Sequence, residues 1–138
     1  AMLIMNEDKA KAMGLKPLAR IKGYASGGVD PAFMGLGPVP AVRKLLRLTK
    51  TTIKDYGLFE LNEAFAAQAI ACLRELNIPW EITNVNGSAI SIGHPVGCSG
   101  ARIVLALANE MKRRNVALGL ASLCIGGGMG MALAIEAV

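Results

Sequence analysis

The chain has 138 residues, one domain's worth, enough to bury about 70% of its unfolded surface. Hydrophobic residues make up 53% and aromatics only 4%, which leaves too few stacking platforms for a nucleic-acid binder and suggests surface meant to meet another chain or domain. The net charge of +5 is uneven: residues 1–54 carry ten basic and three acidic side chains, and the remainder five and seven.

Residues 2–5, Met-Leu-Ile-Met, read as a strand cut from a longer polypeptide. Glu7 to Met13 is a short helix ended by Gly14, and Leu18 to Ala25 a strand closed by Gly27 and Gly28. Val29 to Pro40 is a Gly/Pro-rich loop, and Pro40 to Thr49 an amphipathic helix with proline tolerated in its first turn. On that helix Arg43, Lys44, Arg47 and Lys50 fall opposite Val42, Leu45, Leu46 and Leu48, so the basic N-terminal region is read as a solvated helix face. Leu58 to Leu61 is a short buried strand, Ala64 to Leu76 a helix, and Ile82 to Val85 a further strand. Ser99 is a plausible N-cap for a helix running to about Arg114. Residues 116–135 are uncharged and long enough for a membrane span, but the triple glycine at 126–128 is a turn signal, so two buried strands, Val116 to Cys124 and Met129 to Ala137, are the better reading. Alternating strands and helices imply an α/β layered fold, and the short glycine connection makes the last strand pair antiparallel and the sheet mixed.

Three side chains stand at element ends in motifs suited to chemistry. His94 is the only histidine, held between Gly93 and Pro95 in Asn84-Val-Asn-Gly-Ser-Ala-Ile-Ser-Ile-Gly-His-Pro. Its neighbours pin the backbone on a kinked loop, and an imidazole titrates near working pH. The alternative is a hydrogen-bonded structural histidine. Cys124 ends an apolar run directly before three glycines. Backbone donors or positive partners lower a thiol pKa, and glycine amides are unhindered oxyanion donors. The alternative is a buried structural cysteine. Asn62, in Glu60-Leu-Asn-Glu-Ala-Phe65, lies between an apolar run and a helical pattern, where a helix N-cap is an equally compatible role. Cys72 lies on the apolar face of its helix, and Cys98 sits near a helix N-terminus with no assigned role. One histidine and no Cys-x-x-Cys argue against a structural zinc site. Three cysteines without a recognisable signal peptide argue for a reducing, cytoplasmic setting.

The segments Asn-Glu-Ala-Phe, Gly-His-Pro and Cys-Ile-Gly-Gly-Gly-Met-Gly resemble, in order and spacing, the three C-terminal signature blocks of the thiolases. The resemblance runs from Ala1 to Glu136 and implies one half of the duplicated thiolase fold: a five-stranded mixed sheet with helices on both faces. Residues 1–17 would be the tail of the preceding domain and 18–138 the C-terminal domain. The activity implied is that of an acetyl-CoA acetyltransferase, with 3-ketoacyl-CoA thiolase of fatty-acid degradation as the alternative. The chemistry is acyl transfer followed by Claisen condensation. By the same resemblance His94 activates a nucleophilic cysteine and donates to the thioester oxygen, Asn62 positions a water, and Cys124 moves the α-carbon proton. The Gly126 N–H helps hold an oxyanion, and Met34 and Phe65 line the acyl pocket. Coenzyme A thioesters are substrates, with no metal or prosthetic group implied, and the intact enzyme is expected to be a homo-oligomer without nucleic-acid or membrane partners. Two features depart from the family. Ser88 stands where a second glycine is usual, and Cys98 where alanine is usual. No cysteine matches the nucleophile block, and the coenzyme A loop region is missing, so half an active site is expected. Two rivals come from other classes: a self-contained Cys/His/Asn hydrolase, and a non-catalytic assembly domain.

Overall fold

A computed structural model describes all 138 residues. Its elements are α1 (Glu7–Ala12), β1 (Arg20–Gly28), α2 (Pro38–Thr49), β2 (Leu58–Leu61), α3 (Ala66–Leu76), α4 (Ala89–Ile92), α5 (Ser99–Arg114), β3 (Leu118–Ile125) and β4 (Met129–Glu136). The strands form one mixed sheet in the order β1-β4-β3-β2, antiparallel except for the β2–β3 pair. Side chains alternate across it, as the two-residue strand period requires. Phe59, Leu61, Leu120, Ala132 and Ala134 face α2 and α3, whereas Leu58, Ala121 and Ile135 face α5. Helices therefore cover both faces, as expected.

The α2 face depends on close backbone packing. A Cβ at Gly27 would come 2.6 Å from the Ala41 amide nitrogen, and one at Gly37 or Gly130 would collide with the other's strand or turn backbone. Lacking side chains there, the start of α2 lies directly on β1 and β4, which fixes the glycine turn at Gly126–Gly128 relative to the sheet.

Several expectations are corrected. The sheet has four strands rather than five. The segment Ile82–Val85 contributes one bridge, Thr83 to Phe59, because Asn84 turns into the left-handed region (φ 50°). The Asn84 side chain then takes over the pairing: Oδ1 accepts from the Leu61 amide at 2.9 Å and Nδ2 donates to the Leu61 carbonyl at 2.8 Å. Residues 2–5 form no strand; Leu3 and Ile4 are exposed and have no sheet to join. The loop after β1 contains a 3-10 turn, Pro31–Leu36, and α2 starts at Pro38 rather than Pro40. Leu48, expected on the buried side of α2, is 63% exposed. No helix is long and apolar enough to cross a membrane.

Candidate active site

The parallel pair β2–β3 ends at Leu61 and Ser122 in register, and the Asn62 amide donates to the Ser122 carbonyl at 2.9 Å. Asn62 and Cys124 thus stand at the same C-terminal edge of the sheet, the end where open α/β folds place their ligands. Asn62 is fully buried and is not an N-cap: α3 begins four residues later, capped by Phe65 without a side-chain bond.

His94 reaches Asn62 from the loop between α4 and α5. Its Nδ1 lies 2.6 Å from Ser99 Oγ, and Ser99 Oγ lies 3.1 Å from the Pro95 carbonyl. The Pro95 carbonyl also accepts the Cys98 and Ser99 amides at 2.7 and 2.8 Å, so the shorter Ser99–Nδ1 contact is the one that holds the ring. Nε2 faces Asn62 Nδ2 across a long 3.4 Å contact. The Asn62 Oδ1 atom is buried and without a partner. Ser99 is therefore not the helix N-cap, which is Cys98, but the group that fixes the histidine tautomer. Sequence reasoning missed this role; its one signal was the five-residue spacing from His94 across a proline.

Two further residues hold the loop. Glu63 accepts from the Ile90 amide at 3.1 Å and from Asn84 Nδ2 at 3.0 Å. Ser88, at φ −141°, starts α4 without left-handed backbone, and Gly87 carries the positive φ instead.

Cys124 lies half-buried in the last turn of β3. Burial pushes its thiol above the ordinary range and outweighs the lowering by its backbone hydrogen bond, so the glycine amides do not make it a thiolate. Cys124 and His94 share no hydrogen bond. Gly126 sits in the exposed 3-10 turn Gly126–Gly128, with open space where a Cβ would point. Met34 is half-exposed on the Pro31–Leu36 turn and Phe65 is 67% exposed before α3, so neither is a core residue. Their carriers meet where Cys72 Sγ donates to the Gly35 carbonyl at 3.3 Å. Cys72 itself is buried, its thiol pushed up to about 11 by desolvation, and Cys98 is exposed.

A family model, thiolase C-terminal domain, matches residues 15–137. The acetyl-CoA acetyltransferase of Escherichia coli K12 is 57% identical over 136 residues, covering 99% of this chain and 34% of its own length. The 3-ketoacyl-CoA thiolase of Bacillus subtilis 168 is 52% identical over 136 residues, covering 99% of this chain and 35% of its own. Among solved structures, the acetyl-CoA acetyltransferase of Bacillus anthracis superposes with a TM-score of 0.95 at 55% identity, over 97% of this chain and 34% of that one. Human mitochondrial 3-ketoacyl-CoA thiolase in complex with CoA does so with 0.94 at 47%, over 96% and 33%. The chain spans about a third of the length of the curated relatives it matches.

Proposed function

The chain belongs to the thiolase C-terminal domain family, and from that premise we propose that it supplies half of the active site of an acetyl-CoA acetyltransferase. The whole enzyme would join two acetyl-CoA into acetoacetyl-CoA and free coenzyme A, and run the reverse thiolysis. Residues 1–17 are read as the tail of the preceding domain, in keeping with a family match that begins at residue 15.

The observation that carries the reading is the Ser99–His94–Asn62 chain. It presents the imidazole Nε2 at the sheet edge that also carries Cys124. In the first stage the His94 imidazole takes the proton of a cysteine in the missing half, whose thiolate then attacks the thioester carbonyl and expels coenzyme A as a thiolate, which takes up the Cys124 thiol proton as it departs. In the second stage Cys124, now a thiolate, removes the α-proton of another acetyl-CoA, and the resulting carbanion attacks the acyl carbonyl and displaces the cysteine thiolate, which recovers its proton from His94. A water held on Asn62 Oδ1, the His94 imidazole and the Gly126 amide would stabilise the oxyanions. Met34 and Phe65 would line the acyl pocket. Exposed Phe65, Ile92, Val96 and Ile125 near these elements fit surface that the missing half covers.

A 3-ketoacyl-CoA thiolase is the second reading, favoured by the similarity to the Bacillus subtilis relative; turnover against acyl-CoA chain length separates the two. The test of the main reading has two arms. The chain alone, given acetyl-CoA and a coupled reductase, is expected to make no acetoacetyl-CoA; turnover above a Cys124→Ala control would count against a half-site. In the full-length enzyme Cys124→Ser is expected to keep acetyl exchange between acetyl-CoA and coenzyme A while condensation falls at least about 10²-fold. His94→Ala should lower both. Equal loss of exchange and condensation in Cys124→Ser would place Cys124 in the acylation step instead.

A further inference from the structure

Behind the His94 loop lies a second polar contact set that the proposed reaction does not use. Glu60, on β2, is 4% exposed, and Ser88 is 1% exposed. Arg102, one turn into α5, joins them: Nη1 donates to Glu60 Oε2 at 3.4 Å and Nη2 donates to Ser88 Oγ at 3.0 Å. Its Nε is buried with no partner. A buried ion pair with an orphaned donor is a poor source of stability. Its placement, however, is informative.

The two carriers of the Asn62–His94 contact are β2 and the 88–99 loop with the start of α5. Glu60 lies two residues before Asn62, on the same side of the strand. Arg102 lies three residues after Ser99, on the same side of the helix. The molecule thus has two rungs between the same supports: Ser99–His94–Asn62 in front, and Arg102–Glu60 behind. Ser88 adds the near end of the loop, because its carbonyl accepts from the Ser91 and Ile92 amides and so starts the turn that leads to Gly93 and His94. Arg102 therefore ties together the strand before Asn62, the helix that begins with Ser99, and the loop segment that delivers His94.

We propose that Arg102, held by Glu60 and Ser88, is a positioning residue that keeps the His94 imidazole in one orientation and one tautomer, with its Nε2 on the site. This rests on the reading of His94 as the proton-transfer group. Desolvation pushes the Glu60 carboxyl up to about 7 against the attraction of Arg102, and Glu63 and Glu110 push it the same way. Both protonation states offer Arg102 an acceptor oxygen, so the rung survives across neutral pH. Glycine at position 88 would leave Arg102 Nη2 without its partner.

His94 is the only histidine, so ¹⁵N-resolved NMR of the imidazole nitrogens in the 138-residue chain reads its tautomer without ambiguity. In Arg102→Met and in Ser88→Gly the ratio of the favoured to the other imidazole tautomer is expected to fall by about threefold or more, the equilibrium worth of a weakened hydrogen bond. Glu60→Gln keeps an acceptor oxygen for Arg102 and is expected to hold the ratio. Leu107→Ala weakens the same helix through its apolar face without touching the network, and is expected to hold it too. If either Ser88→Gly or a folded Arg102→Met leaves the ratio unchanged, or if Leu107→Ala shifts it as much, the proposal is overturned. Should Arg102→Met not fold, Ser88→Gly decides, since its extended backbone accepts glycine without strain. The readout does not involve turnover, so it stands apart from failure of the catalytic reading, which His94→Ala tests in the full-length enzyme.

Discussion

The face of the sheet under α2 and α3 is filled by a sixteen-residue apolar cluster, whereas the face under α5 holds a seven-residue one. That smaller cluster shares its space with buried Glu60, Ser88, Ser99 and Glu110. Apolar burial is non-directional and scales with area, so the first face supplies stability and tolerates many sequences. Polar contacts are directional and contribute little net energy, so the second face supplies geometry. The difference locates the site: His94 and Asn62 are held in place from the polar face.

The largest expected effect tests the apolar face. Leu45 is fully buried in α2, and Leu45→Ala should cost about 2–5 kcal/mol in denaturant unfolding. A cost below about 1 kcal/mol, the range of a single net hydrogen bond, would erase the energetic contrast between the faces.

The next tests the cost of polar burial through pH. The Glu60 carboxyl is raised to about 7 in the folded chain, so the folded state binds this proton more tightly than the unfolded state does. The stability contributed by the group is present in full at acid pH, declines as pH rises from about 4.5, the ordinary value, and levels off above about 7. Glu60→Gln removes that loss. The variant should match the parent near pH 4 and exceed it at pH 8 by on the order of 3 kcal/mol. Parallel stability–pH curves for the two proteins would show that the carboxyl is not desolvated as described.

Parts of this contrast could be read from the sequence, and the division follows physical lines. β3 and β4 declare themselves by an uncharged run broken by three glycines, and α5 by its apolar repeat up to Arg114. The segment Ile82–Val85 has the same β-branched pattern as a strand, but the Asn84 side chain completes the ladder instead. No local pattern distinguishes a backbone partner from an asparagine amide. His94 and Asn62 stood out through motif and resemblance. Ser99 and Arg102 did not, because their importance depends on which face of α5 turns toward the loop, and tertiary packing decides that. Met34 and Phe65 are exposed, which removes the core role that apolar side chains of their size most often have.

Ser99→Ala probes a smaller energy with a specific consequence. The hydroxyl bonds His94 Nδ1 and lies within reach of the Pro95 carbonyl. Its loss should cost roughly 1 kcal/mol of stability yet release the histidine tautomer. Unchanged imidazole nitrogen shifts in this variant would mean that Ser99 does not select the proton's position.

The smallest effect is expected one residue earlier, at Cys98. Cys98 is exposed and caps α5 without any side-chain hydrogen bond. A thiol is a weak acceptor, so it contributes little of the capping that serine or aspartate would provide there. The first turn of α5 is held instead by backbone: the Cys98 and Ser99 amides both donate to the Pro95 carbonyl, at 2.7 and 2.8 Å. Alanine keeps those donors and loses no buried contact. Cys98→Ala should therefore change stability by no more than about 0.5 kcal/mol and turnover of the full-length enzyme by less than about tenfold. Denaturant unfolding and a condensation assay read the two quantities. A larger loss in turnover with stability intact would mean that the thiol itself takes part in the reaction, and that the polar face extends one residue further toward solvent than its hydrogen bonds indicate.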